Sequence, residues 1–180
     1  MEIFSKRMIL KEITRSDLEQ IHDLQSKPEI DEFNTLGIPQ SIEITKERLR
    51  QLIDAQKELP RKSYNWKIIE KETDEFIGQC GFNLSLNRFK LGEIYYNLLP
   101  EYWGKGYATE VARLLVETGF KHFHLHKVEA GVATENIRSI KVLEKAGMTR
   151  EGLRRKILPI RGEWKDNYHY AIVEDDERNW

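Results

Sequence analysis

Apolar positions alternate in some stretches of this chain and recur every three or four residues in others, and the two rhythms divide it into strands and helices. Met8–Ile13 reads as a first strand. Ser16 with Glu19 has the spacing of a capping box and opens a helix whose Leu18, Ile21 and Leu24 share a face; Pro28 stops it. Asp31–Pro39 reads as a loop, and Ile42–Leu59 as a second helix with Leu49, Leu52 and Ile53 inward. Tyr64, Trp66 and Ile68 alternate as in a strand, and the polar turn Lys71–Asp74 joins them to Phe76–Leu84 in a hairpin. A turn near Asn87–Lys90 leads to the apolar run Leu91–Leu99. The period then changes: Ala108, Val111, Ala112 and Leu115 make one stripe of a helix over Tyr107–Phe120. A strand Lys127–Thr134 follows, then a helix capped by Asn136 and ended by Gly147, then strands near Thr149–Ile157 and Lys165–Val173. The order βααβββαβαββ predicts an α+β domain with a mixed, mostly antiparallel central sheet.

Between the strand Leu91–Leu99 and its helix lies Gly104-Lys105-Gly106-Tyr107-Ala108-Thr109. Glycines let a backbone turn sharply and bring several N–H groups to one anion, and the helix that follows adds its own unpaired N–H groups and positive dipole end. The loop reads as a pyrophosphate site, with an ordinary strand-to-helix turn as the plainer alternative. A P-loop frame is missing around Lys105, and Thr109 stands where a dinucleotide fold needs its third glycine or alanine. A kinase-type loop covers phosphates from a hairpin, whereas this one runs into a helix.

Downstream, Asn136-Ile137-Arg138-Ser139 and Leu143-Glu144-Lys145-Ala146-Gly147-Met148 follow the alternating strand Val128, Ala130, Val132. With both blocks in place the chain resembles the GNAT superfamily of acetyl-CoA-dependent N-acetyltransferases. The cofactor loop of that family, Gln/Arg-x-x-Gly-x-Gly/Ala, is matched at Gly104 and Gly106, and Glu101 departs from its first position. The wording Pro-Glu-Tyr-Trp-Gly-Lys-Gly-Tyr-Ala-Thr-Glu of residues 100–110 and the late segment Arg161-Gly162-Glu163-Trp164-Lys165-Asp166 are similar to the branch holding ribosomal-protein N-terminal (alanine/serine) and spermidine acetyltransferases. The resemblance implies a V-shaped cofactor cleft between the strands that flank the cofactor helix.

It also implies roles. Acetyl transfer needs a proton acceptor near the attacking amine and a donor for the leaving thiolate. Glu93, in Gly92-Glu93-Ile94, matches the context of the family's catalytic glutamate; partial burial among Ile94, Tyr96 and Leu98 would raise its proton affinity. Leu143 replaces the tyrosine that many relatives use as the acid, which leaves Ser139 as the expected donor. A serine that merely packs or bonds back to its helix is the alternative. Tyr102, Tyr107 and Tyr168 are weaker candidates. Gly104, Lys105, Gly106, Tyr107, Ala108 and Thr109 are expected on the pyrophosphate, Asn136 on the pantetheine. Asn97, Leu98 and Leu99 are expected to pair with its amides like an added strand. Arg138 and Lys141 can reach phosphates or simply face water.

Composition narrows the partners. Lys+Arg 29 against Asp+Glu 30 leaves a net charge of −1, without the basic excess of a nucleic-acid binder. Cys80 is the lone cysteine, excluding an internal disulfide and suiting a reducing cytoplasm. The charged N-terminus has no signal-peptide core, and no apolar run reaches the ~20 residues of a membrane span. His122, His124 and His126 lack an accompanying carboxylate or cysteine frame, so no metal is expected. One domain over residues 1–180, as monomer or homodimer, is the expected organisation. The acceptor is expected to be a protein α-amine, with a polyamine or small amine as alternative and a non-catalytic acyl-CoA sensor as a third. In the resembled branch the loop Ile30–Pro39 overhangs the acceptor side. There Asp31 and Glu32 would attract an ammonium while Phe33, Leu36 and Ile38 cover a short side chain.

Overall fold

The computed structural model describes residues 1–180. Eight strands form one sheet in the order β1-β2-β3-β4-β5-β6-β8-β7. They are β1 (Ile3–Phe4), β2 (Met8–Glu12), β3 (Ser63–Glu70), β4 (Phe76–Leu84), β5 (Leu91–Leu98), β6 (Lys127–Ala133), β7 (Thr149–Ile160) and β8 (Glu163–Val173). Helices α1 (Leu18–Ser26), α2 (Pro28–Asp31), α3 (Ile42–Ala55), α4 (Tyr107–Lys121) and α5 (Ile137–Lys145) cover it. Every strand pair is antiparallel except β5 with β6. The expected mixed, mostly antiparallel sheet is therefore present, with a two-residue first strand and the short α2 added to the expected order. No helix is long and apolar enough to cross a membrane.

Two apolar cores hold the sheet. The larger joins Phe82, Ile94, Leu98, Val128, Val132 and Tyr170 of the strands to Val111, Leu115 and Leu143 of α4 and α5. The smaller joins Ile21, Leu24 and Leu49 of α1 and α3 to Ile69 and Phe76. Each such side chain contributes about 1.5–3 kcal/mol when fully buried, so these cores outweigh any single polar contact described below. Helix α4 lies close to the sheet at Gly119, where a Cβ would come within 2.9 Å of the Phe82 ring.

Several boundaries differ from the sequence reading for local reasons. The first helix is opened by Thr14 and Asp17 rather than Ser16 and Glu19: the Asp17 carboxylate accepts the Thr14 N–H at 2.8 Å and its hydroxyl at 2.9 Å. Pro28 does not end the helical region but starts α2, where its missing N–H costs nothing. Helix α3 stops at Ala55, four residues short, and Gln56 turns its amide to the Ile13 carbonyl at 3.1 Å. The last two strands are longer than the alternation suggests and meet in a two-residue turn, Arg161-Gly162, with φ of +50° and +77°.

Candidate active site

The sheet splits at its one parallel pair. β5 and β6 are in register only at Leu91–Glu93 with Lys127–Glu129, and then diverge. Leu99 donates its N–H to Ile77 at 2.9 Å, which fixes the alternation along β5: Leu99, Asn97 and Tyr95 turn their backbone toward β4, while Leu98 and Tyr96 turn theirs toward the split. Of the three residues expected to pair with pantetheine, only Leu98 presents its backbone there. Asn97 lines the cavity while its backbone pairs with β4, and Leu99 is buried beside Ile77. The Leu98 carbonyl accepts Trp103 Nε1 at 2.7 Å.

Beyond the strand the chain turns through Gly104 (φ +73°) and Gly106 (φ +82°), and Gly106 caps α4. Side chains strain in this left-handed region, and the place where a Cβ of Gly104 would stand is open space. The first intrahelical bond runs from Glu110 N to Gly106 O at 3.1 Å, so the N–H groups of Tyr107, Ala108 and Thr109 have no intrahelical acceptor. Arg7, just before β2, braces the turn. Its N–H and Nε donate to the Glu110 carboxylate at 3.0 and 2.8 Å, Nη1 donates to the Lys105 carbonyl at 2.9 Å, and its guanidinium lies 4.1 Å from the Tyr107 ring centre. Burial alone would raise the pKa of Glu110, but the Arg7 hydrogen bonds and charge outweigh it and hold it below the usual value.

A cavity of about 330 Å³ runs through the split. β5 supplies Tyr96, Asn97 and Leu98; the loop and α4 supply Gly104, Gly106, Ala108 and Thr109; α5 and its cap supply Asn136, Ser139 and Val142. Lys141 and Lys145 stand at its wall without acid partners. Glu29, Ile30 and Phe33 close it from α2 and the residues after it. Asn136 Oδ1 accepts the Ser139 N–H at 3.1 Å, and Ser139 Oγ lies 2.9 Å from the Tyr96 hydroxyl. Burial pushes the Tyr96 pKa up, well above an ordinary phenol. Tyr102 also lines the cavity, but it donates to Glu75 at 2.6 Å, a bond that raises its pKa to about 12.

Four of the expected catalytic and cofactor-binding residues fall outside this cavity. Lys105 and Tyr107 sit behind the loop, held by Arg7, and Leu99 is in the smaller core. Glu93 is exposed, on the opposite face from Ile94, at the level where β5 and β6 still pair. The burial expected for it is absent, and roughly 13 Å of strand separate it from Asn97. The acidic pair after α1 also differs from expectation. Asp31 is buried and takes Arg161 Nε at 2.8 Å, while Arg161 Nη2 donates to the Pro28 carbonyl. Glu32 lies 3.7 Å from Arg138, whose guanidinium is 4.4 Å from the Trp103 ring centre. Leu36 and Ile38 point to solvent; Phe33 alone of the three apolar residues enters the cavity, and it also lines a second hollow of about 160 Å³. Arg7, Tyr96 and Trp103 escaped the sequence reading. Only Tyr96 had a signal, as one of two adjacent strand tyrosines that must face opposite ways.

A family model described as an acetyltransferase (GNAT) domain matches residues 7–149. The chain belongs to the GNAT acetyltransferase family. An uncharacterised N-acetyltransferase of Bacillus licheniformis, p20, is 30% identical over 172 residues, 96% of each chain. A solved GNAT-family acetyltransferase from Bacillus anthracis superposes with a TM-score of 0.84 at 30% identity, covering 98% of this chain and 100% of that one. A more distant relative, the [ribosomal protein uS5]-alanine N-acetyltransferase of Escherichia coli, is 24% identical over 63% of this chain and 59% of its own. GNAT enzymes are N-acetyltransferases that draw on acetyl-CoA, and the residues of this acetyltransferase fit that donor. The open glycine turn with its unpaired N–H groups suits the pyrophosphate, and Lys141 and Lys145 its further phosphate charge. The backbone edge of Tyr96 and Leu98 suits the pantetheine amides.

Proposed function

We propose that this acetyltransferase modifies the α-amine of a peptide or protein that begins with a small residue such as Ala or Ser. The observation that carries the reading is the state of the acids beside the cavity. Asp31 and Glu32 are already matched by Arg161 and Arg138, which leaves Glu29 as the carboxylate lining the cavity on that side. One carboxylate suits one ammonium; a polyamine with several cationic centres needs more. Phe33 offers an apolar wall for a short side chain, and the distant relative named for an alanine N-terminus agrees with a small first residue.

Acetyl-CoA supplies the acetyl group as a thioester, and CoA leaves as the thiolate. Glu29 draws the ammonium into the cavity and Phe33 sets its approach. Glu93, exposed at the vertex of the split, takes the amine proton through water rather than by direct contact. The nitrogen then forms its bond to the acetyl carbon as the carbon–sulfur bond breaks, and it sheds its second proton to water, so one ammonium yields the amide, the thiolate and two protons. Ser139 donates a hydrogen bond to the departing sulfur. The test compares kcat/KM for Ala- and Ser-initiated peptides with that for spermidine at equal concentration and salt. A clear preference for the peptides is expected; a preference for spermidine overturns the acceptor assignment and leaves acetyl transfer standing.

A further inference from the structure

The Tyr96–Ser139 contact joins the two arms of the split. Tyr96 belongs to β5, and its neighbours on the same strand face, Ile94 and Leu98, are buried in the larger core, so the phenol is anchored on that side. Ser139 belongs to the first turn of α5, which follows β6 on the other side, and Asn136 holds its N–H. Their hydroxyl oxygens meet at 2.9 Å in the cavity wall. We infer that Tyr96 is a positioning residue for acetyl transfer: its hydroxyl, donated to Ser139 Oγ, aims the Ser139 proton at the sulfur of the donor. This rests on the proposed role of Ser139 at the leaving group.

Each hydroxyl has one proton and two lone pairs, and only one proton can lie between the two oxygens. With Tyr96 as donor, the Ser139 proton is released into the cavity. With Ser139 as donor, that proton is tied to the phenol and Ser139 turns only lone pairs toward the cavity. Negative charge growing on sulfur selects the first arrangement, and the two bonds in series polarise one another. Electrons and protons balance without either hydroxyl ionising. The electron pair of the breaking carbon–sulfur bond stays on sulfur, and the nitrogen loses two protons through water, one before it attacks and one after the carbon–nitrogen bond forms. A buried phenol remains protonated at any working pH, so it can donate a hydrogen bond throughout the cycle. Tyr96 and Tyr102 are the tyrosines that line the cavity, and Tyr102 donates to Glu75.

The test is a double-mutant cycle of Tyr96→Phe and Ser139→Ala. Tyr96→Phe should lower kcat about 3- to 10-fold, the worth of one hydrogen bond, with KM for acetyl-CoA unchanged. In the Ser139→Ala background the same change should cost nothing. Ser139→Thr, which keeps the hydroxyl, should restore the sensitivity to Tyr96→Phe. A second readout is independent of turnover: the calorimetric affinity for CoA relative to desulfo-CoA should rise with pH in the native protein, and less in Tyr96→Phe. Equal losses in both backgrounds, or none in either, overturn the inference. Native kinetics in Ser139→Ala would instead remove Ser139 from the mechanism, a failure of the underlying reading that the single mutant alone reveals.

Discussion

Gly106 shows how much one backbone angle decides. At φ +82° it both ends the turn and caps α4, and its neighbour Gly104 leaves open space beside the turn. Gly106→Val would force a β-branched residue into the left-handed region, at a cost of about 1–3 kcal/mol. CoA affinity should fall by at least ~10-fold, about 1.4 kcal/mol, with the fold retained. Calorimetry that finds unchanged CoA binding removes this loop from the site. Glu93 carries the opposite lesson. Its sequence context pointed to a catalytic base, but burial cannot be read from one glutamate between a glycine and an isoleucine, and strand alternation turns it outward. If it serves through water, Glu93→Gln should lower kcat strongly, by ~10²-fold or more, with CoA affinity unchanged and part of the rate recovered at higher pH. A variant with native kcat would assign Glu93 to the surface.

At the scale of elements, the glycine turn is held by a contact that no local pattern announces. Arg7 and Glu110 are 103 positions apart in the chain, yet three hydrogen bonds from Arg7 tie the start of β2 to the turn and the first helical residues after it. Side chains at 21–35% exposure put the ion pair at about 1–2 kcal/mol, between a surface pair and a buried one. The pKa of Glu110 is lowered on folding, so its contribution is complete above its unfolded value of 4.5 and is lost as pH falls through the lower folded value. Glu110→Gln should therefore destabilise the protein by about 1–2 kcal/mol at neutral pH and by progressively less as pH falls below 4.5. Urea titrations of both proteins across that range check it; a difference constant with pH would mean that the ion pair contributes nothing. Helices and strands themselves were largely legible, because alternation and the four-residue stripe on α4 are local. The reach of β7 and β8 to their turn was not. Almost all of β7 is exposed, with a register shift between Arg154 and Leu158, so the alternation that announces a half-buried strand is missing there. That turn delivers Arg161 to Asp31, which removed the acid assigned to the substrate amine.

The whole molecule is a sheet divided at the site. Three register positions join β5 to β6, and past them the two halves are tied by Tyr96 to Ser139 and by Trp103, Arg138 and Glu32. The resemblance to the GNAT family implied that division, but not what spans it, since the spanning side chains come from segments far apart in the chain. If CoA binds as proposed, between the α4 loop on one side and Asn136 and α5 on the other, it adds contacts across this division in the folded state alone. At a CoA concentration 100 times Kd the folded state gains about 2.7 kcal/mol by mass action. For a chain of this length each kcal/mol moves Tm by about 2–4 °C, so calorimetry should record a rise of roughly 5–11 °C. Arg138→Ala separates ligand from strap. It cuts the tie between α5 and the residues after α2, but it leaves the glycine turn and the β5 edge intact. The apo protein should lose about 1 kcal/mol, since the Arg138–Glu32 pair is exposed and the stack on Trp103 adds a similar small amount. The rise in Tm with CoA should remain, because the ligand replaces that tie with its own. A variant that is stable alone yet no longer gains from CoA would show Arg138 to be a ligand contact rather than a strap across the split.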